Sequence, residues 1–196
     1  MAPGIGHNSN RTTDGYAGRL YLWRRARTAL TGARLPVEVV RLRMRRAAAL
    51  GLDFSTYASI RAATGRDVVA LLFSSNAVGM LRRAELDARA ADRLAAVAAQ
   101  RGVLVHRPLP ATAPPPLDWA ARAPAFTDPW TRMREIVSGA LSARGLPGDA
   151  VVMIGATAAE RDWCAAARAA GWIHADAYFG RGPAAPDALV PGGDGG

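Results

Sequence analysis

The 196-residue chain has one cysteine, no lysine and no apolar run long enough to cross a bilayer. The single Cys164 excludes an internal disulfide and fits a reducing, cytoplasmic compartment. With no window of ~18 apolar residues, no membrane span is expected. Met1–Asp14 is polar and lacks the apolar stretch of a secretory signal. His7, His106 and His174 have no cysteine or acid at ligand spacing, so neither a metal site nor a cofactor is expected. No glycine-rich phosphate loop of either standard spacing occurs, and no catalytic motif is complete. The balance leans away from an enzyme.

The charge that is present is unevenly placed. All 25 basic residues are Arg, and the formal net charge is +9. Residues 1–66 hold twelve Arg against Asp14, Glu38 and Asp53, whereas residues 67–196 hold thirteen Arg and thirteen acids. Composition bias explains the absence of Lys but would act on both parts alike. A basic head on a neutral body points to an anionic partner, either nucleic acid or an acidic protein face.

The hydrophobic pattern changes at the same boundary. Residues 1–15 read as a disordered arm, and residues 16–66 as a basic helical segment. Within that segment Tyr16–Leu30 forms a first helix. Pro36–Leu50 forms a second, with Val37, Val40, Met44 and Ala48 on one stripe. Gly51 stops it, and a third helix runs from a cap at Asp53 or Ser55 to about Ala63, closed by Gly65.

Residues 67–179 read as an α/β domain: a small parallel sheet of three or four strands with flanking helices. The strands are Val68–Phe73, Val103–His106, Val151–Gly155 and Trp172–Ala175. The helices are Leu86–Gln100, ended by Gly102, then Pro129–Arg144 with Trp130, Met133, Val137 and Leu141 inward, then Glu160–Ala170. Pro108–Pro124, with six prolines, reads as an irregular excursion, and 180–196 as a disordered Pro/Gly tail.

Two segments carry weak resemblances. In Arg43–Ala62, Ala47 lies four residues before Gly51, Leu52 follows the glycine and Ile60 sits nine residues after it. Those are the small, turn and core positions of a helix-turn-helix, which this segment resembles. The resemblance implies that the second helix of the motif presents Ser55, Thr56, Ser59 and Arg61 to DNA, and the basic head offers Arg41, Arg43, Arg45 and Arg46 as phosphate contacts. Arg46 departs from the motif, which wants an apolar residue there.

In Val151–Gly171 an apolar strand ends at Gly155, an acid follows at Glu160, and an Ala-rich helix closes at Ala169–Gly171. Ser74 ends an earlier strand. Together these resemble the haloacid-dehalogenase-like fold over about Asp67–Ala175. Ala156 replaces the metal-binding aspartate, and no Asp-x-Asp pair exists to supply the nucleophile. The resemblance therefore implies the fold without the phosphotransfer chemistry.

In open parallel sheets, ligands bind beyond the carboxyl ends of the strands. The loop Ser74, Ser75, Asn76 and the loop carrying Thr157 and Glu160 are expected on that edge, where they would form a ligand pocket. Two functions follow as expectations. The first is a non-catalytic interaction or regulatory protein whose basic head binds nucleic acid. The alternative is an enzyme or small-ligand binder using this pocket.

Overall fold

The computed structural model describes residues 35–180. The expected arm, the helix Tyr16–Leu30 and the tail beyond Gly180 lie outside the described residues. The chain divides into two compact units at Arg41/Leu42. In the first, Val40 N–H closes the first turn of a helix on Pro36 O (3.1 Å), and Arg41 pairs with Glu38 at 3.1 Å.

From Leu42 onward a five-stranded, all-parallel sheet with order β3-β2-β1-β4-β5 organises the unit. Its strands are β1 Ala70–Ser74, β2 Gln100–Val105, β3 Trp119–Arg122, β4 Val151–Gly155 and β5 Gly171–His174. The helices are α1 Val37–Ala49, α2 Phe54–Thr64, α3 Ala88–Ala95, α4 Trp130–Ser142, α5 Ala158–Ala166 and α6 Ala175–Phe179. None of them is long and apolar enough to cross a membrane.

β1 and β4 are buried throughout, as expected for strands covered on both faces. The period-2 alternation of strand side chains then divides the core. Leu71, Phe73, Val103, Val105, Val152 and Ile154 face one cluster, with Leu50, Tyr57 and Ile60 of the helical corner. Ala70, Leu72, Leu104, Val151 and Met153 face the other, with Val137 of α4 and Trp163 of α5. Leu50, Tyr57 and Ile60, which precede residue 67, thus share one buried cluster with strand residues that follow it. Arg46 reinforces it: its guanidinium donates to Val68 O (2.7 Å) and Ala98 O (3.0 Å) and pairs with Asp67 at 3.3 Å.

Four strands fall within a few residues of expectation, and a fifth, β3, lies inside the proline-rich stretch read as irregular. Trp119 explains it. Gly102 does not stop a helix but sits within β2, where a Cβ would meet Trp119 Cζ2 at 2.2 Å. The missing side chain lets the indole lie on the sheet, with the Arg144 guanidinium 4.0 Å from its centroid. Arg101 clamps the same edge through a double hydrogen bond to Asp118 (2.8 and 3.0 Å). The opposite edge repeats the device: a Cβ on Gly155 would meet Trp172 Cη2 at 2.0 Å.

Three further readings are corrected. The helix expected over Leu86–Gln100 ends at Ala95, because Gln100 already pairs with Ala70 in the sheet. Trp130 is 50% exposed rather than inward, while Met133, Val137 and Leu141 are buried as expected. On α1 the buried residue is Ala47; Val37 and Met44, on the stripe read as apolar, are exposed.

Candidate functional site

The carboxyl ends of β1, β2 and β4 bring five polar side chains together: Ser75, Asn76, His106, Thr157 and Glu160. β1 runs into Ser74-Ser75-Asn76, β2 into His106, and β4 into the first turn of α5. Thr157 caps α5 reciprocally: its hydroxyl accepts from Glu160 N–H (3.3 Å), and Glu160 Oε2 accepts from Thr157 N–H (3.1 Å). Glu160 Oε2 also accepts from Ala156 N–H at 2.7 Å, and Oε1 accepts from Asn76 Nδ2 at 2.8 Å. The carboxylate is fully buried. Burial without partners would be costly for such a group, and three donors satisfy it here.

His106 completes the network. Its Nδ1 lies 2.7 Å from Ser75 Oγ, and its Nε2 lies 3.4 Å from Glu160 Oε1. A lone pair aimed at a carboxylate is repelled, so the arrangement favours the proton on Nε2, with the Ser75 hydroxyl donating to Nδ1. Burial pushes the imidazole below its ordinary pKa, and the Glu160 charge opposes that shift. His106 also contacts two aromatic rings, Phe126 at 5.0 Å and Trp163 at 5.2 Å between centroids. Phe126 and Trp163 are near-parallel, 15° apart.

Beside this network, over β1, β2 and the chain leaving β3, lies a cavity of about 360 Å³. Asn76 and Arg107 supply its polar side, and the His106 ring lines it with Met80, Leu81, Leu109, Ala123 and Phe126. Leu81 and Phe126 are 67% and 53% exposed. A volume of this size falls at the small end of ligand cavities, about 300–1,000 Å³.

The residues read from sequence as a pocket do converge, but on one another. Ser74 Oγ accepts from Ala77 N–H (3.1 Å), and Ser75 and Glu160 are fully buried. Thr157 spends its hydroxyl on the cap. Of the five, only Asn76 lines the cavity. His106, considered in the sequence only as a metal ligand, and Arg107 and Phe126, not singled out, line it as well. The available signal was His106 directly after an apolar strand, at the edge where parallel sheets bind ligands. Among the described residues no group of three or more His, Cys, Asp or Glu is placed to hold a metal ion.

The residues read as nucleic-acid contacts are distributed along the corner. Ala47, Leu52 and Ile60 are buried, and Gly51 turns with φ +68°. Asp53 caps α2 through Thr56 N–H (2.9 Å), and Gly65 closes it in the left-handed region. Hydrogen bonding from Ser55 and Thr56 holds the Asp53 carboxyl down at about 2. Arg46 and Arg61 both turn toward Asp67, Arg61 at 3.7 Å. Arg41, Arg45 and Ser59 are exposed, and Arg43 and Thr56 are half-buried.

Protein-family models, curated proteins and solved structures provide no match to this chain.

Proposed function

We propose that the protein is a small-molecule-binding module that holds an organic anion in the cavity over β1–β3 without turning it over. The observation that carries this is the pairing of apolar walls with Asn76 and Arg107 in a single concavity at the carboxyl edge of the sheet. The absence of turnover rests on where the reactive groups point. Ser75 and Glu160 are fully buried and bonded internally, and both His106 nitrogens face protein groups. A nucleophile or base has to reach the reacting atom, and none of these is turned to the cavity. The haloacid-dehalogenase resemblance, short of its aspartates, agrees with a fold kept for binding.

A thermal-shift and NMR screen of small organic anions against the full chain tests the proposal. Binders are expected to raise Tm and to move the resonances of Asn76, His106 and Phe126. Phe126→Ala is expected to weaken them. A broad screen in which no compound moves those resonances overturns the reading.

A second reading, nucleic-acid binding, rests on the burial of Ala47, Leu52 and Ile60 around the positive-φ Gly51, the packing a helix-turn-helix corner requires. Gel shifts at several salt concentrations test it. Affinity is expected to fall by about 0.9 log unit per log unit of salt for each phosphate contacted on duplex DNA. Arg43→Ala and Arg45→Ala would each flatten that slope by about one contact. An interaction that ignores salt excludes it.

A further inference from the structure

We infer that the cavity selects a flat aryl anion that carries a hydrogen-bond donor, and that Asn76 is the residue that demands the donor. The inference rests on the binding reading above and specifies its ligand.

The polarity of Asn76 is fixed from behind. An amide side chain can present either an acceptor or a donor pair, and the two orientations differ only by a flip. Glu160 Oε1 lies 2.8 Å from Asn76 Nδ2. Two oxygens at that distance would repel, so the buried carboxylate holds the amino group toward itself. Glu160 is held in turn by Ala156 N–H, Thr157 N–H and the α5 cap. Asn76 Oδ1 accepts no hydrogen bond from the described residues, and Asn76 lines the cavity. The site thus presents a preset acceptor. A ligand lacking a matching N–H or O–H would leave that oxygen unpaired on desolvation, a penalty that separates close analogues.

The other two attributes follow from the neighbours. The Glu160 charge is enclosed by its donors, so the adjoining charged group on the cavity wall is Arg107, which is exposed and favours an anion. Flatness follows from Phe126, which is half-exposed and already lies 5.0 Å from the His106 ring with 34° between planes. A second planar ring against the exposed part of Phe126, which also stacks on Trp163, extends that stack.

The test uses the full chain and matched probe sets: meta- and para-hydroxybenzoate, their methoxy counterparts, benzoate and phenol, with Kd taken from NMR titration of the His106 and Phe126 resonances, which every variant retains. At least one hydroxybenzoate is expected to bind about tenfold tighter than its methoxy counterpart and than benzoate. Phenol, without the anion, should be weaker, and Arg107→Ala should remove the advantage of the carboxylate. Asn76→Ala should equalise hydroxy and methoxy probes. Because that variant also removes a partner of Glu160, Glu160→Gln serves as a second test. Its amide can donate to Asn76 Oδ1 and free the asparagine to turn, so the preference for a donor should narrow or reverse. Equal binding of hydroxy and methoxy probes in the cavity overturns the inference and leaves the binding reading standing. Failure of every hydroxybenzoate to bind also overturns it, whereas the binding reading falls only with the broad screen.

Discussion

Asn76 Nδ2 donates to Glu160 Oε1 over 2.8 Å, joining the end of β1 to the first turn of α5 across 84 residues of sequence. The bond crosses the crevice between β1 and β4, the point where strand order reverses in β3-β2-β1-β4-β5. Doubly wound sheets commonly offer that crevice to ligands. Here internal hydrogen bonds occupy it, and the cavity lies to the β2 and β3 side.

Glu160 should therefore be a stability residue first. Glu160→Ala strands Asn76 Nδ2 and the N–H groups of Ala156 and Thr157, and should cost about 3 kcal/mol in urea denaturation. Glu160→Gln should cost less and should lower the His106 pKa further, since the carboxylate charge holds it up. An NMR titration in which the His106 value rises instead would refute the assigned contact.

Stability should fall on mild acidification. The folded His106 binds its proton less readily than an ordinary imidazole of pKa 6.5. Below that pH the unfolded chain binds more protons than the folded one. The stabilisation is thus complete above pH 6.5 and is lost as pH falls through the lower folded value. Tm measured against pH should decline below 6.5, and His106→Gln should flatten the decline.

The glycines beneath the tryptophans should resist substitution. Gly155→Ala places a methyl 2.0 Å from Trp172 Cη2, and Gly102→Ala places one 2.2 Å from Trp119 Cζ2. Each should destabilise by about 1–3 kcal/mol through overpacking. The cost of Gly155→Ala should shrink in a Trp172→Leu background, a coupling that a double-mutant cycle measures directly.

Cys164 should be inert in the folded protein. Burial raises its thiol to about 11, so almost no thiolate exists at neutral pH. Iodoacetamide at pH 8 should leave it unmodified until denaturant is added. Rapid native alkylation would contradict the packing of α5 against the sheet.

Much of the fold was legible where local chemistry is strong. β4 occupies Val151–Gly155 as read, because a continuous apolar run between Pro147-Gly148 and Thr157 has only one strand-length solution. Asp53 and Gly65 bracket α2 because caps act within a few residues. β3 was not legible. Its four residues sit among prolines, and what makes them a strand is Gly102 on a neighbouring segment, a contact outside any local window. The site divided in the same way. The sheet-edge rule pointed to Ser74–Asn76 and Thr157–Glu160, yet it could not show that these residues satisfy one another. His106, Arg107 and Phe126 become a wall only once β2 and β3 lie side by side. Trp130 and the α1 stripe misled because helical periodicity marks which residues share a face, not which face is covered.

The two outer strands have a consequence for how the molecule behaves in a crowded solution. A sheet margin is a template on which another chain can continue the ladder, and long flat margins seed aggregates. β3 and β5 each offer only four residues. Pro114, Pro115 and Pro116 precede one margin and Pro124 follows it, each without an N–H to donate. The other margin turns at once into α6. An incoming strand would find little to add to on either side. The sheet thus ends its own growth, and a shortened proline stretch should reveal this as faster thioflavin-positive aggregation on heating.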